Sequence, residues 1–321
     1  MAISSEQAAW FHSTFQALAD NVEQVVLGKR HVVELAFTAM VSEGHLLLED
    51  LPGTGKTSLA RAMSQTVHGT TSRIQFTPDL LPGDVTGITV YDQKNGEFEF
   101  HAGPIFANVV LADEINRASP KTQSALLEAM EEGAVTVDGV TRSTGAPFLV
   151  IATQNPIEQA GTYPLPEAQL DRFMIKTSLG YPDLAATVRI LEATSEVPHE
   201  LNPVITPQAL VGMAGIARAV HADPVIFDYI GRIVEATRTA SQTRVGVSVR
   251  GARALTKAAK TWAAAQGRGY VTVDDVKSLA VPALSHRLVL DPEAEFDGVT
   301  PEAVVGQILL DVVPPVRSTV A

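Results

Sequence analysis

Apolar residues gather in three short unbroken runs, each closed by polar or glycine-rich chain. Leu46-Leu47-Leu48 leads into Leu51-Pro52-Gly53-Thr54-Gly55-Lys56-Thr57. Val109-Val110-Leu111-Ala112 ends in Asp113-Glu114, and Phe148-Leu149-Val150-Ile151-Ala152 ends in Thr153-Gln154-Asn155-Pro156. Runs of that length without alternation read as strands buried on both faces of a sheet. Ile74 and Phe76 suggest a further strand. Elsewhere the spacing is helical. Helices are predicted over 7–25, 31–42 and 58–67; Val32, Val33, Leu35, Ala36, Ala39 and Met40 form the apolar stripe of the second. Ser119-Pro120, an N-cap followed by proline, opens another helix, carried by Leu126, Leu127 and Met130 and ended by Gly133. Two stretches alternate about a turn, 88–100 around Asn95-Gly96 and 135–141 around Asp138-Gly139, which predicts two hairpins. Residues 78–84 read as a turn-rich link and 168–173 as a short helix.

The pattern changes after Tyr181-Pro182. Thr206-Pro207, Asp223-Pro224 and Thr300-Pro301 are cap-plus-proline helix starts, and Thr272 with Asp275 forms a capping pair. The chain therefore divides into an α/β core, residues 1–185, with an N-terminal helix and two inserted hairpins, and a smaller all-helical domain, residues 186–321. No internal repeat is evident.

Composition narrows the possibilities. With 321 residues and 45% hydrophobic content, the chain can bury a sizeable core. Its 24 basic and 36 acidic residues leave a formal charge of −12, which argues against a broadly basic nucleic-acid surface. Lys94 and Arg142 at the hairpins would form a collar only if repeated around a ring. There are no cysteines, hence no disulfide framework or thiolate metal site. Residues 1–20 are too polar for a secretory signal, and no stretch reads as a membrane span. A cytoplasmic location is expected.

The chemistry lies where the three buried strands end. A strand, a tight glycine loop and a helix make a phosphate cradle, in which backbone N–H groups and the helix start attract the anion. Pro52, Gly53, Thr54, Gly55 and Ser58 would line it. Lys56 would reach the β- and γ-phosphates, and the Thr57 hydroxyl would hold Mg2+. The usual first glycine of such a loop is Asp50 here. Asp113 would support the ion and Glu114 would polarise an attacking water. Asn155 would contact the γ-phosphate or orient that water. The turn containing Gly28 lies just upstream, where it would contact the adenine. The expected ligands are therefore ATP or ADP with Mg2+.

Taken together, these motifs resemble the MoxR-type AAA+ ATPases over almost the whole chain. The resemblance rests on His45 to Thr57, Ala112-Asp113-Glu114-Ile115-Asn116-Arg117-Ala118, Gln123 to Met130, Thr153-Gln154-Asn155-Pro156 and Glu167-Ala168-Gln169-Leu170-Asp171-Arg172-Phe173. In that family an aspartate at position 50 is common. The resemblance implies an AAA+ P-loop αβα core with a helical lid, ATP hydrolysis and a homo-oligomeric ring, expected to be a hexamer. It makes Arg172 an arginine finger toward a neighbouring subunit's γ-phosphate. It makes Arg250 a second sensor from the lid of the same chain. The family usually has Ser-Pro-Arg-Ala there; this chain has Ser248-Val249-Arg250-Gly251. The resemblance also implies remodelling or maturation of a client protein with a von Willebrand factor A domain partner. Alternatives are a nucleic-acid motor, a magnesium-chelatase-like subunit and a scaffold that binds nucleotide without turnover.

Overall fold

The computed structural model describes residues 3–51, 53–155, 162–193 and 201–315. Two helices come first, α1 (Ser5–Glu23) and α2 (Arg30–Val41), followed by β1 (Leu46–Glu49) and α3 (Lys56–Thr66). Next are β2 (Thr71–Gln75), a short α4 (Pro82–Thr86), and the hairpin β3 (Gly87–Asp92) with β4 (Glu97–Ala102). The link expected over 78–84 thus contains the start of a helix: Pro82 fixes its first turn and Asp84 accepts from the Leu81 N–H. β5 (Val109–Asp113), α5 (Pro120–Glu132), the hairpin β6 (Ala134–Val137) with β7 (Val140–Ser143), and β8 (Leu149–Gln154) follow. A short α6 (Glu167–Leu170) and β9 (Ile175–Thr177) complete the core.

Five strands form one parallel sheet in the order β2-β5-β8-β1-β9. Alternate residues of each strand face opposite layers, so the apolar runs need cover on both sides. Leu46, Leu48, Val109, Leu111, Leu149 and Ile151 pack with α1, α2 and α3. Leu47, Val110, Ala112, Val150 and Ala152 pack with α5 through Leu126, Leu127 and Met130. Ser119 caps α5 by accepting from the Thr122 N–H, and Gly133 ends it in the left-handed conformation.

Beyond the core lie α7 (Leu184–Ala193), α8 (Pro207–Ala219), α9 (Pro224–Thr239), α10 (Val249–Ala265), α11 (Val273–Leu284), α12 (Pro292–Phe296) and α13 (Pro301–Asp311). Residue 185 falls inside α7. A two-stranded pair, β10 (Thr243–Val245) with β11 (Val289–Leu290), joins the helices. The capped starts at Thr206, Asp223, Thr272 and Thr300 all accept the expected backbone N–H bonds. The chain is therefore an αβα core followed by a smaller helical lid, the architecture the resemblance implies. Lid residues Leu255, Ala258, Ala259 and Met213 belong to the same buried cluster as Phe11, Phe15 and Phe37 of α1 and α2. Ser42 Oγ lies 2.7 Å from Thr261 Oγ1, and His12 Nδ1 lies 2.6 Å from the Ala265 carbonyl.

Candidate functional site

β1, β5 and β8 are parallel neighbours, so their ends bring the P-loop, Asp113-Glu114 and Asn155 to one edge of the sheet. Gly53 and Gly55 adopt positive φ of 81° and 94°, a region costly for other residues. A Cβ on either would meet nothing within 4 Å, so the cradle is open. Gly55 begins α3, and no side chain caps that helix start. Thr57 and Ser58 are exposed in its first turn, and Thr54 Oγ1 donates to the Leu51 carbonyl at 3.3 Å. The Lys56 ammonium rests on the carbonyls of Leu51 and Asp50, at 3.3 and 3.5 Å. Open space, free helix N–H groups and a lysine within the loop suit a phosphate chain. Mg2+ needs little from such a site, because it commonly takes one or two protein oxygens beside the phosphates. Pro52 lies outside the described residues. Gly28, at φ 68°, sits in the turn after α1; a Cβ there would lie 3.6 Å from that of Ala186 in α7.

The acidic pair is tightly held. Asp113 is buried; its carboxylate accepts from Thr153 Oγ1 at 2.7 Å and pairs with Arg73 at 2.7 Å. Thr153 Oγ1 also accepts the Glu114 N–H at 2.8 Å. Glu114 itself has φ 56°, an uncommon conformation for a non-glycine residue. Its carboxylate accepts from Gln75 Nε2 and Arg117 Nη1, both at 2.9 Å. Asn155 is buried just past β8.

Asp50 occupies the position of the usual first glycine and is nearly inaccessible at 3% exposure. Its carboxylate accepts from Ser178 Oγ at 2.8 Å, Leu179 N at 2.6 Å and Gly180 N at 2.8 Å. That carboxylate fastens the start of the P-loop to the segment after β9. Lys29 Nζ donates to the Tyr181 carbonyl at 2.7 Å and ties the Gly28 turn to the same segment.

Arg172 and Arg250 lie elsewhere. Ile175 pairs with Leu46 in parallel register, so residues 171–174 stand at the start of the strands. The P-loop leaves their other end. Arg172 pairs with Glu131 Oε2 at 3.1 Å, and Arg250 pairs with Oε1 of the same carboxylate. A cleft of about 370 Å³ here is lined by five cationic side chains: Arg172, Arg250, Arg253, Lys257 and Arg287. Glu43 and Asp171 are the carboxylates lining it. Arg250, which the resemblance assigns to the nucleotide of its own chain, thus rests on Glu131 and away from that P-loop. The lid packs on α1 and α2, which carries the start of α10 to the edge of the sheet away from that loop.

Arg73, Gln75 and Arg287 carried no motif signal, since each matters only through partners distant in sequence. Arg253 and Lys257 were findable: with Arg250 they follow i, i+3, i+7 spacing along one helical face.

Residues 45–175 match the family model for the ATPase family associated with various cellular activities (AAA), and residues 235–308 match the AAA lid domain. Protein YeaC of Bacillus subtilis is 48% identical over 308 residues, covering 95% of this chain and 96% of its own length. Chaperone MoxR1 of Mycobacterium tuberculosis is 40% identical over 317 residues, covering 96% of this chain and 84% of its own. A crystal structure from Cytophaga hutchinsonii superposes with a TM-score of 0.90 at 37% identity, covering 96% of both chains.

Proposed function

This chain belongs to the MoxR-type AAA+ ATPases and is an ATP hydrolase, and from that premise we propose that it works as a ring whose ATP sites are shared between neighbouring subunits. The observation that carries this reading is the joint placement of Arg172 and Arg250 on Glu131, at the edge of the sheet away from their own P-loop. The cations described beside the chain's own acidic pair, Arg73 and Arg117, are engaged by Asp113 and Glu114. A neighbour's basic cleft would supply further cations, and the buried Nε of Arg172, which has no partner among the described residues, leaves that guanidinium with donor capacity to spare. A hexamer is the expected size.

In this reading Gly53, Gly55 and the start of α3 bind the phosphates and Lys56 swings from its carbonyls onto them. Mg2+, held by Thr57 and Asp113, would neutralise charge on the β- and γ-phosphates. Glu114 accepts a proton from the attacking water once its carboxylate leaves Gln75 and Arg117. Asn155 orients that water. Arg172 and Arg250 of the adjoining subunit stabilise charge that develops in the transition state. Glu114→Gln should keep ATP binding and lose phosphate release by at least about 10²-fold; turnover that survives the change would refute the assignment.

The work done with ATP is proposed to be remodelling of a client protein, in concert with a von Willebrand factor A domain partner. MoxR1 is named a chaperone, and the hairpins favour a polypeptide over a nucleic acid. Tyr91 and Phe98 pack together on the β3–β4 hairpin, and Phe98 is 76% exposed. Arg142, the basic residue at the other hairpin, lies 3.8 Å over the Phe100 ring and donates to the Val137 and Val140 carbonyls. It is committed to joining the hairpins and is poorly placed to neutralise phosphate. Glu114→Gln protein trapped with ATP should retain a protein partner. Salt-sensitive nucleic acid that stimulates turnover, with no protein retained, would overturn this part.

A further inference from the structure

Arg287 is an arginine that the hydrolytic reading leaves without a role. It follows α11 in a 3-10 turn, Ser285–Arg287, and its side chain is only 2% exposed. Burying a guanidinium is costly unless every donor is met. Here most of the donors are spent on the segment around Arg172. Nε donates to Asp171 Oδ1 at 2.7 Å. Nη2 donates to the carbonyls of Asp171 at 3.0 Å and Phe173 at 2.6 Å, and Nη1 reaches those of Met174 and Ala283. The neighbouring His286 lies 3.0 Å from the Phe173 carbonyl through Nε2. The lid also grips the other Asp171 oxygen, which accepts from Ser248 Oγ at 2.9 Å. Ser248 caps α10, the helix that Arg250 opens.

We propose that Arg287 is a positioning residue: it holds residues 171–174 from the lid side, and so sets the angle at which Arg172 is presented to the neighbouring subunit's nucleotide. This rests on the shared-site reading above. Arg172 is flanked on both sides by groups bonded to Arg287, while among the described residues its own guanidinium makes only a partly exposed pair with Glu131. Its aim therefore follows the backbone beneath it. Gly251 belongs to the same device. A Cβ at that position would stand 2.7 Å from Arg287 Cδ, so the bare α-carbon lets the arginine pass under α10.

The test separates positioning from bulk stability by subunit mixing. Arg287→Ala leaves its own P-loop intact and alters only the arginine it offers to a neighbour. Lys56→Ala does the reverse. Each variant alone should turn over ATP about 10²-fold more slowly than wild type, the order expected for a misplacement near 1 Å. Arg287→Ala should bind a fluorescent ATP analogue as tightly as wild type. Random 1:1 mixing places an intact P-loop against a well-presented arginine at about a quarter of heterologous interfaces, so mixing should restore that share of wild-type activity. Arg172→Ala mixed with Lys56→Ala is the control. Recovery in the control without recovery for Arg287→Ala would overturn the positioning role while leaving the shared site standing. Failure of the control too would overturn both. Should Arg287→Ala not fold, Arg287→Lys serves: one ammonium cannot meet so many carbonyls, and the same loss and the same rescue are expected. Full activity of Arg287→Lys alone would also overturn the proposal.

Discussion

His45 is buried just before β1 with both ring nitrogens engaged. Nδ1 accepts the Val150 N–H at 3.0 Å, so the proton sits on Nε2, which donates to the Met130 carbonyl at 3.0 Å. Burial lowers its pKa from 6.5 to about 4, against the opposing pull of the Met130 carbonyl. As pH falls below 6.5, the unfolded chain takes up a proton that the folded chain refuses. Stability should therefore decline from pH 6.5 and level off below pH 4, with about 2 kcal/mol lost to His45 by pH 5. His286 is pushed down as well, by burial and by Arg287 beside it, and adds its own loss over part of that range. Urea unfolding of wild type and His45→Gln at pH 7 and pH 5 isolates the first share, because glutamine keeps one donor and one acceptor. A loss equal in the two proteins would refute the assignment. Residues of this kind show how far local patterning reaches. The P-loop was legible because its chemistry is contiguous. Asp50 looked like a substitution for glycine, since the three donors that explain it lie 128 to 130 residues away.

Helix α10 shows the same limit for an element. Its start was legible from Ser248, whose cap is local, but which surface it would meet was not. The family's alanine position is Gly251 here. In an isolated helix Gly→Ala gains up to about 1 kcal/mol. At Gly251 the sign should reverse, because the new Cβ would lie 2.6 Å from Val247 Cγ1 and 2.7 Å from Arg287 Cδ, and Arg287 is pinned by its own bonds. Overpacking of this kind typically costs about 1–3 kcal/mol. Gly231 in α9 is the matched control: it is exposed, and a Cβ there meets nothing within 4 Å. Gly231→Ala should stabilise slightly while Gly251→Ala destabilises, both read by urea denaturation. Two equal stabilisations would show that Arg287 yields freely.

At the scale of the whole molecule, the packing direction of the lid decides what a single subunit can do. The cap signals foretold a helical second domain, and they carry no information on which face of the core it covers. That face is chosen by the apolar sides of α1 and α2, whose phenylalanines share a cluster with α8 and α10. An interface with a continuous apolar core resists independent swinging, so the lid and the arginines it holds should move with the core. On the shared-site proposal, ATP binding belongs to one chain and hydrolysis needs two. Diluted subunits should still bind ATP at an affinity that does not change with protein concentration. Phosphate release per subunit should fall as the ring dissociates, following mass action. Measuring both on one dilution series separates the two properties. Turnover per subunit that stays constant over about a hundred-fold dilution, past the point where light scattering reports only monomer, would mean that one chain holds a complete site. Arg172 and Arg250 would then need another explanation for their common place on Glu131.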